Sequence, residues 1–339
     1  MSVPNLSLAV FVALLILWGG AVTSAQAAVS PTVPSSDLDV LTQRVAELTA
    51  NIKQFQAQHQ LGQVESAKLT SLSLIDPNSS GDIPGLKSNP KILFVGNSYT
   101  YAGLGGVRAE SPYGMFMRMI KLKAPGATGD LSVIGGSVMS ELWNWTGRSA
   151  TLNPKTRLKT GTYDLLVLQS GDGILNKTIP GDYEIYADLF ANLAKDNGTD
   201  VMLYGVWAPD QSISISKGET VASAADVRYK QTAARNSSGY AASGMAYTQA
   251  HKRLTELYGN GDDGQTAETM LTYDSVHAAP PAAYLAANMM YLSAFGVVPP
   301  TPSQFLPAGV SLVDAETLQG IAVTAHNSHS LTVTDSWYK

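Results

Sequence analysis

The feature that most constrains this chain is an alternation. From Lys91 onward, short apolar runs alternate with longer amphipathic stretches. The runs are Ile92–Val95, Leu131–Ile134, Leu165–Leu168, Val201–Val206 and Met270–Thr272. Apolar runs of this length, without polar alternation, read as strands buried on both faces. Between them, helical spacing covers Tyr113–Lys123, Tyr183–Ala194, Ala224–Arg235, Tyr247–Tyr258 and Ala282–Ala294. Strands that alternate with helices predict an α/β fold with a parallel sheet covered on both faces. Active sites in such sheets lie at the carboxyl ends of the strands. Three of the predicted strands run into residues worth noting there: Gly96-Asn97-Ser98, Gly135-Gly136-Ser137 and Gln169-Ser170-Gly171.

The segment ahead of Lys91 is of another kind. Leu8 to Trp18 is unbroken apolar sequence, and Ala25-Gln26-Ala27 supplies a small-residue cleavage pattern. The run is short for a membrane span, so residues 1–27 read as a signal peptide and the protein as secreted or periplasmic. The alternatives are a buried core helix and an uncleaved anchor, and only the anchor brings membrane contact. Residues 28–90 read as linker and helix. Ala28–Ser36 is rich in Ser, Pro and Val, and Ser71–Pro90 in Gly, Ser and Pro. Between them Leu38, Leu41, Val45, Leu48, Ile52 and Phe55 alternate spacings of three and four. That seam over residues 37–61 is either a short coiled coil that makes a homo-oligomer or an amphipathic helix packed on the main domain. Residues 91–300 form the main domain, and residues 301–339 a C-terminal helical segment and tail.

Composition narrows the chemistry. The net charge of -5 carries no basic footprint for nucleic acid. The absence of cysteine removes thiol nucleophiles, cysteine-ligated zinc and disulfides together. No HExxH and no dense His/Asp/Glu cluster is present; His326 and His329, in a polar tail, are a weak chelating pair at best. No motif implies a cofactor.

That leaves an activated oxygen nucleophile. Of the five histidines, His59 lies past the heptad seam and His251 within a helical pattern. Only His277 follows a predicted strand with a carboxylate close by, in Asp274-Ser275-Val276-His277. An Asp three residues ahead can hold the His ring, fixing its tautomer, or can simply brace the loop. Gly96-Asn97-Ser98 after an apolar strand offers a tight turn with an exposed hydroxyl and free backbone N–H groups. Asn97 is expected to brace that turn and Tyr99 to pack beside it. Trp143, Trp145 and Trp207 could line a pocket or fill the core. Asp210 has no histidine closely following it.

Val95-Gly96-Asn97-Ser98-Tyr99-Thr100 resembles the first block of the SGNH hydrolase superfamily, the GDSL-type esterases and lipases, in the branch with Asn in place of the Asp of GDS. Asp274-Ser275-Val276-His277 is similar to the last block, D-x-x-H. The resemblance spans roughly Lys91 to Pro299 and implies a three-layer α/β/α flavodoxin-like fold. It implies a triad of Ser98 as nucleophile, His277 as acid-base and Asp274 as its orienting partner, acting on carboxylic esters through an acyl-enzyme. It also implies oxyanion donors at the N–H groups of Ser98 and Gly136. The substrate would be an acetylated polysaccharide or a short acyl chain. The third block departs from the family: where G-x-N-D should supply an Asn, this chain has Gly173. Gln169, at a strand end familiar as "LQ" in this branch, is the substitute donor, or else it satisfies backbone groups there. The missing Asn keeps a catalytically silent glycan-binding or scaffold protein open. An acyltransferase would use the same triad.

Overall fold

A computed structural model describes residues 83, 86–103, 108–145, 149–169, 181–207, 215–258, 267–274 and 276–333. The expectations for the signal segment, the heptad seam, Gly173 and Asp210 lie outside the described residues.

Five parallel strands form the sheet: β1 (Lys91–Gly96), β2 (Thr128–Val133), β3 (Leu165–Gln169), β4 (Asp200–Gly205) and β5 (Gly239–Ala242), in the order β2-β1-β3-β4-β5. The strands Ile92–Val95, Leu165–Leu168 and Val201–Val206 fall where the sequence put them, to within a residue or so. The expected strand Leu131–Ile134 begins three residues earlier, at Thr128. The expected strand at Met270–Thr272 is a correction. Met270 and Leu271 close a short helix, and Thr272 makes only an isolated bridge to Ala278. β5 takes the place of that strand in the sheet.

The helices fall into two layers. On one face pack α2 (Pro112–Lys123), α7 (Ser243–Tyr258), α9 (Pro280–Phe295) and α10 (Leu312–His329). On the other pack α3 (Met139–Asn144), α4 (Pro154–Thr160), α5 (Asp182–Asp196) and α6 (Ile215–Arg235). Two further short helices are α1 (Ser98–Tyr101) and α8 (Ala267–Leu271). The three central strands are buried nearly throughout because helices cover both sides.

α9 explains much of the stability near the site. Every residue from Pro280 to Phe295 is buried, and the stretch is apolar on all sides. Two of its polar groups are paired: the Asn288 amide donates to the Tyr284 carbonyl at 2.8 Å, and the Ser293 hydroxyl to that of Tyr240 at 3.0 Å, while the Tyr284 hydroxyl and the Asn288 side-chain oxygen are buried without a partner. Pro280 and Pro281 start it, where a preset φ favours a helix and a missing N–H costs nothing. The helix therefore begins at a fixed place, three residues after His277.

Ile83, ahead of the main domain's expected start, is buried in the same core as the strands. The C-terminal stretch read as a helical segment and tail contains α10, which takes in His326 and His329 and whose Ala315, Leu318, Ala322 and Ala325 join that core. Among the described residues no helix is long and apolar enough to cross a membrane.

Candidate active site

The parallel register sets Gly96 opposite Val133 and Val95 opposite Leu168, so the chain leaves β1, β2 and β3 side by side at one sheet edge. Ser98 opens α1 directly above β1 and is half-buried. Asn97 caps that helix: its side-chain oxygen accepts from the Tyr99 N–H at 3.2 Å. Its amide nitrogen donates to the Ser137 carbonyl at 3.1 Å, which ties the Ser98 turn to the loop after β2. Asn97 thus braces the turn, as its sequence context suggested.

That loop turns through Ile134–Ser137, with Ser137 N–H bonded to the Ile134 carbonyl at 3.3 Å. Gly136 sits in it at φ +68°, in the left-handed region where a glycine costs least. No atom lies within 4 Å of where a Cβ would stand, and the residue is exposed. The phenol oxygen of Tyr101, on α1, is 3.2 Å from the corresponding point on Gly135. The Gly135-Gly136 turn and the Ser98 helix are therefore neighbours.

Gln169 ends β3 and is fully buried. Its side-chain oxygen accepts two hydrogen bonds, from the Asn97 N–H at 2.8 Å and the Thr100 hydroxyl at 2.8 Å. Its amide nitrogen is buried without a partner. Of the two expected roles, these contacts fit the bracing of backbone at the strand end. The group Gln169 holds is the turn that carries Ser98. The close approach needs Gly96, because a Cβ there would come within 2.5 Å of the Gln169 oxygen and 2.7 Å of the Thr100 hydroxyl.

His277 lies on a separate hairpin. Leu271 and Ala279 pair at one end, and Tyr273 N–H donates to the His277 carbonyl at 3.2 Å. At its tip the Asp274 carboxylate folds back on the chain. One oxygen accepts from the N–H groups of Val276 at 3.1 Å and His277 at 2.7 Å. The other meets His277 Nδ1 at 2.5 Å. In a neutral ring, an acceptor-only carboxylate at Nδ1 favours the proton there and the lone pair at Nε2. Burial pushes the Asp274 pKa up, but the bonds from the His277 ring and the two backbone N–H groups outweigh it and hold the carboxyl below its ordinary range. Tyr273 stacks on the imidazole with ring centroids 5.7 Å apart.

Aromatic packing brings the two halves together. Tyr99, next to Ser98, has its ring centroid 6.5 Å from that of His277. Trp207, just past β4, packs edge-on against Tyr99 at 5.2 Å, and its indole N–H donates to the Val276 carbonyl at 2.9 Å. The tryptophans expected near a pocket divide. Trp207 is buried, Trp143 is packed partly into the core against Phe190 at 4.9 Å, and Trp145 donates to the Ser149 carbonyl at 2.7 Å.

The remaining described histidines have other settings. His251 is partly buried on α7, and burial lowers its pKa. His329 pairs with Asp226 at 3.1 Å. His326 lies 3.3 Å from the Ser293 hydroxyl, but that hydroxyl is buried and directed at the Tyr240 carbonyl, so it does not form a second nucleophile. Among the described residues no group of three or more acidic or histidine side chains could hold a metal ion.

No protein-family model matches the sequence, and no curated protein matches it. Solved structures do. A DUF4886 family protein from Bacteroides uniformis superposes with a TM-score of 0.52 at 13% identity, over 73% of this chain and 98% of that one. A candidate SGNH hydrolase from Slackia heliotrinireducens gives 0.44 at 20%, over 60% and 97%. Axe2, an acetylxylan esterase from Geobacillus stearothermophilus, gives 0.44 at 15%, over 61% and 94%. The chain shares its α/β fold with the DUF4886 family protein. Ser98, the Gly135-Gly136 turn and Gln169 lie at the ends of β1, β2 and β3, and His277 on the hairpin ahead of α9. The link that motif reading missed is Trp207, whose only sequence signal was an aromatic residue following a strand.

Proposed function

We propose that this protein is an exported serine ester hydrolase acting through an acyl-enzyme. The observation that carries the reading is the Asp274–His277 hairpin. One carboxylate fixes both the ring and the backbone of a histidine, which is packed beside the residue that follows Ser98. In the first half-reaction Ser98 Oγ bonds to the acyl carbon as His277 Nε2 takes its proton. The tetrahedral intermediate then collapses, the ester C–O bond breaks, and His277 returns the proton to the leaving alcohol. Water repeats the sequence on the acyl-enzyme. Asp274 stabilises the imidazolium that forms each time. The N–H groups of Ser98 and Gly136 serve the oxyanion, since both sit on turns at the same sheet edge. The apolar run Leu8–Trp18 with Ala25-Gln26-Ala27 supports export. Acetylated polysaccharide or a short acyl ester is the substrate class.

The test is turnover of a p-nitrophenyl ester series from acetyl to decanoyl by the wild type, Ser98→Ala and His277→Ala. Loss of activity in both variants, with folding retained by circular dichroism, is the expected result. An inert wild type that also fails to react with a fluorophosphonate at Ser98 would overturn it. A second reading, a silent glycan-binding protein, draws on one observation: the Gln169 oxygen is committed beneath the turn and its nitrogen is buried, so Gln169 offers no accessible oxyanion donor.

A further inference from the structure

Trp207 makes three contacts at once. It is 2% exposed, at the end of β4. The face of its indole lies on Tyr247 of α7, with centroids 5.4 Å apart and planes 14° from parallel. Its edge meets Tyr99 at 5.2 Å and 72°. Its N–H reaches the carbonyl of Val276 at 2.9 Å. The backbone carrying it is also held closely: a Cβ on Gly244, at the start of α7, would stand 2.4 Å from the Val206 carbonyl. The ring is therefore fixed by its surroundings, and a side chain locked this way can fix its partner in turn.

The partner is the residue before His277. The hydrogen bonds around Asp274 are internal to the hairpin: they set His277 relative to Asp274, with no bearing on where it stands relative to Ser98. The Trp207–Val276 bond runs from the hairpin to the end of β4, and the same indole packs on the residue after Ser98. A single rigid group thus touches both the nucleophile helix and the base hairpin.

We propose that Trp207 is a positioning residue that sets the reach of His277 toward Ser98 by holding the Val276 carbonyl through its indole N–H. The proposal rests on the serine-hydrolase reading. It follows that the N–H matters separately from the bulk of the ring, because filling the core requires no donor.

Trp207→Phe keeps an aromatic ring between Tyr99 and Tyr247 and removes the donor. With p-nitrophenyl acetate, kcat should fall about ten- to hundredfold with KM nearly unchanged, since misplacing a base by a fraction of an ångström weakens the chemical step and leaves binding intact. The fluorophosphonate labelling rate at Ser98 should fall by the same factor. Equal kcat and labelling in the two proteins would overturn the proposal, and so would a KM effect alone. If the wild type itself neither turns over nor labels, it is the hydrolase reading that fails. If Trp207→Phe does not fold, the wild-type indole N–H decides, assigned by NMR after replacing the other four tryptophans one at a time. An N–H protected from solvent exchange and shifted when Ser98 is phosphonylated supports the clamp. A rapidly exchanging or unshifted N–H overturns it.

Discussion

Gly96→Ala tests how the nucleophile turn is built. The added Cβ would meet the Gln169 oxygen at 2.5 Å, the Thr100 hydroxyl at 2.7 Å and the Gln169 Cβ at 3.1 Å. All three neighbours are fully or almost fully buried, so none can swing into solvent. Forcing a methyl group into a packed core costs about 1–3 kcal/mol. If Gln169 moves away, the buried Asn97 N–H loses its acceptor, and leaving such a group unpaired costs about 1–3 kcal/mol more. The sum is about 2–6 kcal/mol, which for a domain of this size lowers the melting temperature by about 4–24 °C. Thermal unfolding by circular dichroism measures it. A cycle with Gln169→Ala isolates the cause. Removing the side chain that clashes should recover about 1 kcal/mol or more of the Gly96→Ala loss. The reasoning is refuted if Gly96→Ala melts within about 2 °C of the wild type, or if the two substitutions are additive.

Asp274→Asn should lower kcat by roughly 10²–10⁴-fold, because an amide no longer fixes the His277 tautomer, and the pH–rate profile reads the change. Asp274 is held below the ordinary carboxylate range, so its stabilising bonds are present above its unfolded pKa and disappear as pH falls through the folded value. The melting-temperature gap between wild type and Asp274→Asn should therefore close in acid. Burial pushes His326 down to about 4, so the unfolded chain binds a proton that the folded one refuses, and stability falls from pH 6.5 toward 4. His326→Gln should flatten that slope in urea titrations, by about 3 kcal/mol at the acid end. The Asp182 carboxylate accepts from the N–H groups of Met139 at 3.0 Å and Ser140 at 3.3 Å, capping α3 from another element. Asp182→Ala should cost about 1–2 kcal/mol by chemical denaturation.

What the sequence disclosed depended on how local each signal was. β1, β3 and β4 are central and covered on both faces, so their apolar runs carry clear boundaries. β2 is an edge strand whose first residues, Thr128-Gly129-Asp130, are polar or small and mostly uncovered, so the apolar pattern begins after the strand does. β5, Gly239-Tyr240-Ala241-Ala242, is the other edge and carries almost no β-branched or long aliphatic signal. Met270-Leu271 shows the opposite failure, since a short apolar run reads equally as strand or buried helix. At the site the same division holds. Asn97 to Tyr99 and Asp274 to His277 span two and three residues, and each is legible as a motif. Gln169 to Asn97 and Trp207 to Val276 span 72 and 69 residues, and only the sheet register brings them together.

The departure in the third block can be understood from the turn it supports. The Asn97 N–H belongs to the cap of α1 and is buried, and the Thr100 hydroxyl lies one turn on, equally buried. Both are donors, and both are served by the one Gln169 oxygen. A side chain that supplies this acceptor must reach back under the turn, and its amide nitrogen then lies on the buried side with no acceptor of its own. The extra methylene of Gln over Asn provides that reach. Rigidity of the nucleophile turn and donation to an oxyanion thus compete for one side chain, and in this chain the carbonyl half has gone to rigidity. In the proposed esterase the oxyanion would then rest on the backbone N–H groups of Ser98 and Gly136, and the rate would depend more heavily on how accurately His277 is held, the role proposed for the Trp207 contact.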